Sequence, residues 1–343
     1  MSIDILNQTQ YKYICRIQNV DSGIILDLGN AGVIESITWN TSLDFAQAGK
    51  FEIIIKGDAV GRDIIVNEGD FIAVGVNEKL FFLGRVWKLE LNVPANEPIT
   101  YTITAFDHLT LLAGEESLLR PNGVTASNFF TMIMQRFVER GLRGRVVEHS
   151  RAPLDSFYFT NETLYTMIRE SMTDTHIKEQ GENIYCVYDN LGTIEFNSLN
   201  NLKTPYIIGD SSFTESYIYG VNITESANVI KILRPNKEIG MYESFIKFDS
   251  DNIRRWGFKS YVMEIEDGYT DAQAREMLDI LIETKNRPQR TLDVTCVGIN
   301  GIRAGSGIQF VAQRGQFDHS LWVESCEHIY GSDRHIMNLS LFL

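Results

Sequence analysis

At 343 residues, 44% hydrophobic and 22% charged, the chain has room for two or three domains with their own cores, and its composition excludes extensive disorder. Lysine and arginine number 31 against 45 aspartates and glutamates, so the net charge of −14 argues against a non-specific nucleic-acid binder, which needs a basic stripe. The first twenty residues lack a basic start and an apolar run, no stretch approaches a membrane span, and the four cysteines show no CxxC spacing. Neither a signal peptide nor a membrane contact is expected, and reduced thiols made in a cytoplasm are.

From Tyr11 to Asp107 the pattern predicts almost only strands: KYICRIQNV, GIILDLG, GVIESITWN, KFEIIIKG, DFIAVGV, KLFFLGRVWKLEL and ITYTITAFD. Short alternating segments between Gly, Asn and Asp turns describe a barrel or sandwich. Phe81, Phe82, Trp87, Tyr101 and Phe106 alternate along two of these strands, a pattern of barrel core or subunit interface, with a sugar-binding platform as the alternative. Asp107, beside His108, has the form of a catalytic acid, but its position suits a cap on the helical turn that follows.

After LLAGEESLLRPNG, Thr125 or Ser127 caps a helix, ASNFFTMIMQRFVERG, with Phe129, Ile133, Met134 and Phe137 on one face and a stop at Gly141. A second helix in TNETLYTMIRESMTDT repeats Leu164, Ile168 and Met172 beside Met167, and a hairpin turns at Asn190-Leu191-Gly192. Past Pro205 strands return, interrupted by the helix TDAQAREMLDILIETK, capped by Thr270 or Asp271, with Ala274, Leu278 and Leu281 on one side. The predicted class is mainly β with an α+β insertion: a first β-barrel domain over 1–115, the insertion over 116–203, and a second, similar barrel domain with one helix over 204–343.

The two β domains share a cadence. GKFEIIIKG, from Gly49 to Gly57, matches RTLDVTCVG, from Arg290 to Gly298, with Phe51 and Leu292, Ile53 and Val294, Ile55 and Cys296, and Gly57 and Gly298 all 241 apart. Each is followed by a glycine turn, an apolar strand, a polar turn, an aromatic-rich strand and a final alternating strand, the mark of a duplicated unit.

Reactive constellations are sparse. Gly49-Lys50 lacks the upstream glycine of a phosphate loop, and Gly305-Ser306-Gly307 precedes a strand instead of opening a helix. His319, Cys326, His328 and His335 fall close together, yet no second cysteine or HxH completes a zinc site, and no metal is expected. Glu162, Glu170, Glu179 and Glu182 are the carboxylates available to a glycoside hydrolase, which needs one raised acid at about 5–9.5 Å from a second. Glu162 reads as a first-turn acid and the others as solvated surface. Cys186 alternates within a strand, away from any helix start that would favour a thiolate.

Four blocks carry a resemblance: Glu35–Gly57, Phe81–Leu112, Asn161–Phe196, and the run from Arg303 to Leu343. In this order they resemble the XkdQ-like baseplate hub proteins of contractile phage tails and phage-tail-like particles, relatives of the T4-type hub and the late control D proteins. The resemblance implies a structural, non-enzymatic protein without cofactors. It implies a homotrimer whose duplicated barrels present pseudo-sixfold symmetry, joining the hexameric tail tube to the trimeric spike and anchoring other baseplate proteins. Such a protein is made in the bacterial cytoplasm and assembled into a virion, a prophage-encoded tail or a tailocin. A tail-associated peptidoglycan hydrolase and a carbohydrate-binding adhesin are the alternatives. The ring would let DNA or a tape-measure protein pass, and an excess of 45 − 31 = 14 acids per chain favours a neutral or negative lumen, with Glu68, Asp70 and Glu78 as candidate lining residues.

Overall fold

Alternation of apolar and polar residues decides most of the architecture: along Ile34–Ser42 the inward positions Ile37, Trp39 and Thr41 are buried while their neighbours are half-buried or exposed. The computed structural model describes residues 12–29, 34–43, 49–56, 66–93, 95, 99–210, 214–236, 240–265, 267–331 and 334–342. The turn at Gly57 lies outside the described residues.

The first strands are β1 (Tyr13–Gln18), β2 (Ile25–Asp27), β3 (Ile34–Ser42), β4 (Lys50–Lys56), β5 (Phe71–Val76), β6 (Lys79–Asn92) and β7 (Thr100–Phe106). Next come β8 (Glu115–Arg120), α1 (Ala126–Arg136), β9 (Gly144–Val146), β10 (Phe157–Thr163), α2 (Leu164–Lys178), β11 (Tyr185–Asn190), β12 (Thr193–Ser198), β13 (Lys203–Gly209) and β14 (Thr214–Asn222). Then follow β15 (Val229–Asn236), β16 (Met241–Phe248), α3 (Ser250–Trp256), β17 (Ser260–Glu264) and α4 (Asp271–Lys285). The chain closes with β18 (Gln289–Val297), β19 (Gly307–Ala312), β20 (Phe317–Tyr330) and β21 (His335–Phe342). The fold is mainly β with α+β elements.

Two compact units result, Met1–Tyr217 with Asp293–Phe342, and Ile218–Leu292. In the smaller unit, β15 pairs antiparallel with β16 and parallel with β17. Ala274 and Leu278 of α4 pack with Ile230 and Ile232. A full capping box starts α4: the Thr270 side chain accepts from Gln273 N–H, and the Gln273 side chain accepts from Thr270 N–H.

In the larger unit, α1 and α2 close over β11 and β12, burying Phe129, Phe130, Ile133, Met167, Ile168 and Phe196. Thr125 and Thr163 cap these helices by accepting from Asn128 N–H and Thr166 N–H. Gly141, at φ 87°, ends the short turn after α1, and Leu191-Gly192, at φ 49° and 93°, form the two-residue hairpin turn. Glu162 departs from the sequence expectation: it lies in β10 opposite Glu116, because the strand continues to Thr163 before the helix begins.

The duplication is present strand for strand. The main sheet runs β14-β18-β21-β20-β3-β4-β7-β6-β5-β1-β2, with β19 joining β20 to β13. Hence β3-β4-β7-β6-β5-β1 and β14-β18-β21-β20-β19-β13 follow one order. β1 lies antiparallel to β5 whereas β13 lies parallel to β19. Even the irregularity repeats: a bulge at Trp87, between Val86 and Lys88, corresponds to one at Glu324, between Val323 and Ser325, 237 residues on.

The turn before each second strand is the same object. Gly69 N–H donates to Val86 O and Gly305 N–H to Val323 O, both at 2.8 Å, while Val86 N–H and Val323 N–H donate to Asp70 O and Ser306 O, both at 2.9 Å. Asp70 Oδ2 accepts from Asn67 N–H as Ser306 Oγ accepts from Arg303 N–H. Gly69 and Gly305 have φ 89° and 88°. A left-handed backbone costs a non-glycine residue about 1–2 kcal/mol. Gly69→Ala, with no atom within 4 Å of the added Cβ, should lose about that much in chemical denaturation. Gly305→Ala should lose more, because its Cβ would also meet Leu202 Cδ1 at 3.2 Å; equal losses would contradict this account.

Candidate functional site

The seam where β20 pairs antiparallel with β3 holds the most unusual group of side chains. Cys326, His328 and Tyr330 lie opposite Thr41, Trp39 and Ile37. The β20-β21 hairpin places Tyr330 opposite His335 and His328 opposite Met337, so His328 and His335 meet diagonally. Sequence spacing put His335 beyond a turn and apart from the others; cross-strand register brings it back.

Tautomers follow from the partners. His328 Nε2 lies 2.7 Å from Ile302 O, which can only accept, so this nitrogen carries the proton. His328 Nδ1 therefore accepts from His335 Nε2–H at 2.8 Å. Both rings are neutral and stacked among aromatics: Trp39 lies 5.3 Å from His328, and Tyr330 lies 3.9 Å from His335. Burial pushes His328 down to about 4 and His335, with the charge of His328 adding, to about 3.

Cys326 Sγ sits 3.2 Å from His328 Nε2, and burial raises its thiol well above the usual range. The cysteine and His335 approach different ring nitrogens of His328, so no single point lies within about 2.0–2.3 Å of all three donors, as zinc requires. His319 is exposed opposite Phe310. These residues are packing and hydrogen-bonding partners.

Asp107 forms a second buried polar node. Its oxygens accept from Gly49 N–H at 2.9 Å and Leu109 N–H at 3.0 Å, the second bond capping the turn His108–Ala113. Burial, with Asp189 adding its charge, pushes this carboxyl up to about 7 despite those bonds. Asp189 itself accepts from Gly192 N–H and lies 3.6 Å from His108 Nδ1, while Arg303 Nη1 donates to Asp189 O at 2.7 Å. A shallow recess includes Arg85, Phe106, Asp107 and His108. Asp107 thus ties β4, β7 and the following turn together.

The remaining candidates are scattered. Glu170 is exposed on α2, its carboxyl raised by partial burial and by the charges of Glu162 and Asp174. Burial works on Glu179 too, but hydrogen bonds from Arg151 N–H, Asn183, Ala152 N–H and Tyr185 outweigh it and hold the carboxyl low. Glu182 is exposed, and Cys186 is buried with its thiol pushed up to about 12.

The aromatic row divides. Phe82 is core, Phe81 stacks between Trp39 and Tyr330, and Trp87 is exposed. Asp70 drops out as a lumen residue: it is buried and accepts from Asn19 Nδ2, Val20 N–H and Asn67 N–H. Glu68 and Glu78 are exposed.

Residues 37–342 match the YQBQ-like family. The chain belongs to the YQBQ-like family. Comparison with curated proteins finds no match. Among solved structures, this YQBQ-like chain is similar to the 43 kDa tail protein of prophage MuSo2 from Shewanella oneidensis, with TM-score 0.71 and 12% identity over 96% of this chain and 98% of that one. It is equally similar to the tail protein from Neisseria meningitidis MC58, with TM-score 0.71 and 10% identity over 97% of each chain. Prophage tail protein gp18 from Listeria monocytogenes EGD-e matches with TM-score 0.60 and 13% identity, covering 95% of this chain and 94% of that one. The YQBQ-like chain shares their fold.

The buried histidines generate a pH prediction. Both folded-state values lie below the ordinary 6.5, so the unfolded chain takes up protons that the folded chain refuses. Their contribution is full above about pH 6.5 and is lost as pH falls towards 4 and 3. Asp107 acts in the opposite sense, its contribution fading as pH rises through 7. Denaturant titrations should show a loss on the order of 2–4 kcal/mol between pH 6.5 and 4.5. The variant His328→Met with His335→Leu should flatten that slope whatever its stability at pH 7, and an unchanged slope would refute the assignment.

Proposed function

We propose that this protein is the structural hub of a contractile-tail baseplate, assembling as a homotrimeric ring that adapts a hexameric tail tube to a trimeric spike. One observation carries the reading: each chain contains two β units of the same strand order, the same bulge and the same turn, so three chains present six equivalent units. The fold shared with prophage tail proteins and the resemblance of the four sequence blocks to XkdQ-like hubs support it. In this reading 1–115 and 204–343 are the ring-forming domains, 116–203 faces neighbouring baseplate proteins, and the particle is a virion, a prophage-encoded tail or a tailocin. Glu68 and Glu78 remain candidates for an acidic channel wall that lets DNA or a tape-measure protein pass.

A wall-degrading enzyme is the second reading, favoured by one observation, the raised carboxyl of Glu170 near Glu162. Both residues are exposed on a strand and a helix surface, where a sugar ring would not be shielded from water. The hub reading expects no release of fragments from purified cell walls by the unaltered chain. Fragment release that Glu170→Gln abolishes would replace the hub reading with the enzymatic one.

Mass measurement of the chain in complex with its spike should give three copies, and one or two copies would refute the ring. The calculated potential of the assembled lumen should be neutral or negative.

A further inference from the structure

The strand β6 outruns its neighbour. Its residues Lys79–Arg85 pair with β5 and Arg85–Asn92 with β7, so beyond Arg85 the edge on the β5 side pairs with no described strand. β20 has the same construction, pairing first with β19 and then with β21. Its corresponding edge, however, is filled by β3 through Ser325–Tyr330. The counterpart of β3 is β14, the last described strand on that side of the sheet. One chain therefore contains one filled joint and the two separate halves of a second.

The halves can be aligned residue by residue. Matching bulges set β20 to β6 by subtracting 237, giving Leu89, Leu91 and Val93 for Cys326, His328 and Tyr330. For β14, a Cβ on Gly220 would lie 2.7 Å from Thr291 Oγ1, placing these two side by side. Thr291 is Lys50 plus 241, and Lys50 lies opposite Asn40, so Gly220 corresponds to Asn40 and β14 to β3 plus 180. Ile37 then matches Tyr217, whose ring packs inward on Phe310 at 5.5 Å. Trp39 matches Tyr219, and Thr41 matches Val221.

Burial differs between the joints in the way an unfilled edge requires. Cys326, His328, Tyr330, Ile37, Trp39 and Thr41 are at most 6% exposed. Their counterparts Leu89, Leu91 and Val93 are 37%, 55% and 61% exposed, and Tyr219 and Val221 are 38% and 56% exposed. An apolar row on an open edge is an invitation to pair with another strand.

We infer that β6 of one copy pairs antiparallel with β14 of a second copy, with Leu89 opposite Val221 and Leu91 opposite Tyr219, repeating between chains the β20-β3 joint within each chain. This deepens the ring reading above and rests on it. The register sets apolar against apolar on one face, with Lys88 opposite Asn222 and Glu90 opposite Gly220 on the other. A slip of one residue would set Leu89 against Asn222 or Gly220, which project to the wrong face. At the internal joint Leu43 N–H donates to the bulge carbonyl of Glu324 at 2.8 Å. The same shifts assign Ile223 N–H of one copy to Trp87 O of the next. The two edges belong to different strands, so the interface is heterologous and ends only when a ring closes.

Paired cysteines test the register, since disulfides need Cα atoms about 4.4–6.8 Å apart and the native cysteines are buried. Full-length chain carrying Leu89→Cys and Val221→Cys, oxidised after assembly with the spike, should give intermolecular dimers and trimers on a denaturing gel. Leu89→Cys with Asn222→Cys should not. Leu91→Lys, exposed in the single chain, should leave thermal unfolding of the monomer unchanged and raise the concentration needed for assembly by about tenfold or more. Three copies in the complex without the first cross-link, or with both cysteine pairs linking equally, would overturn this pairing while leaving the hub reading intact. A chain that remains monomeric beside its spike would overturn both.

Discussion

Every strand must satisfy both of its edges, and the pairing of β20 with β3 is where this chain meets that constraint across its two halves. Backbone groups there come from segments nearly three hundred residues apart, so the pairing is non-local and costly to bring together. The side chains beneath it offset that cost by burial: Trp39, Phe81, His328, Tyr330 and His335 form one continuous aromatic stack. Two neutral imidazoles in that stack give each other the hydrogen bond that burial would otherwise deny them.

Asp107 plays a comparable part at the start of β4, where the chain turns from β7 towards the helical elements. A carboxylate held by Gly49 N–H and Leu109 N–H fixes the start of that turn. Its neighbour Asp189 lies at the end of β11, so two acids share a buried region whose positive counterpart is Arg303. This is a polar hinge point between sheet and helices, costly in charge and specific in geometry.

Much of this was legible in sequence because local signals agreed with the final structure. The caps Thr125 and Thr270, the apolar faces of α1, α2 and α4, and the turn at Leu191-Gly192 are local patterns. The repeat was visible from Phe51 and Leu292 onwards, but its strength was not, because the matching bulges and turn bonds are register properties that no alternation pattern displays. The same limit hid the His328–His335 contact, which depends on a hairpin register. Asp70 resembled an exposed turn acid, yet Asn19 and Val20 from a distant strand end bury it. Glu162 was read into a helix because its strand and the following helix join without a break.

The compact segment Ile218–Leu292 leaves the β framework along β14 and returns along β18, neighbours in the sheet. In the first repeat the corresponding strands, β3 and β4, are joined by a connection of seven residues between Ser42 and Lys50. The same site between paired strands therefore carries a connection of seven residues in one repeat and a whole folded module in the other. Loop-closure entropy explains the tolerance, since each doubling of a connection costs only about 0.6 kcal/mol while the strand ends stay fixed. The strand order is the same on either side of both connections, so the length of chain between these two strands is set independently of their place in the sheet.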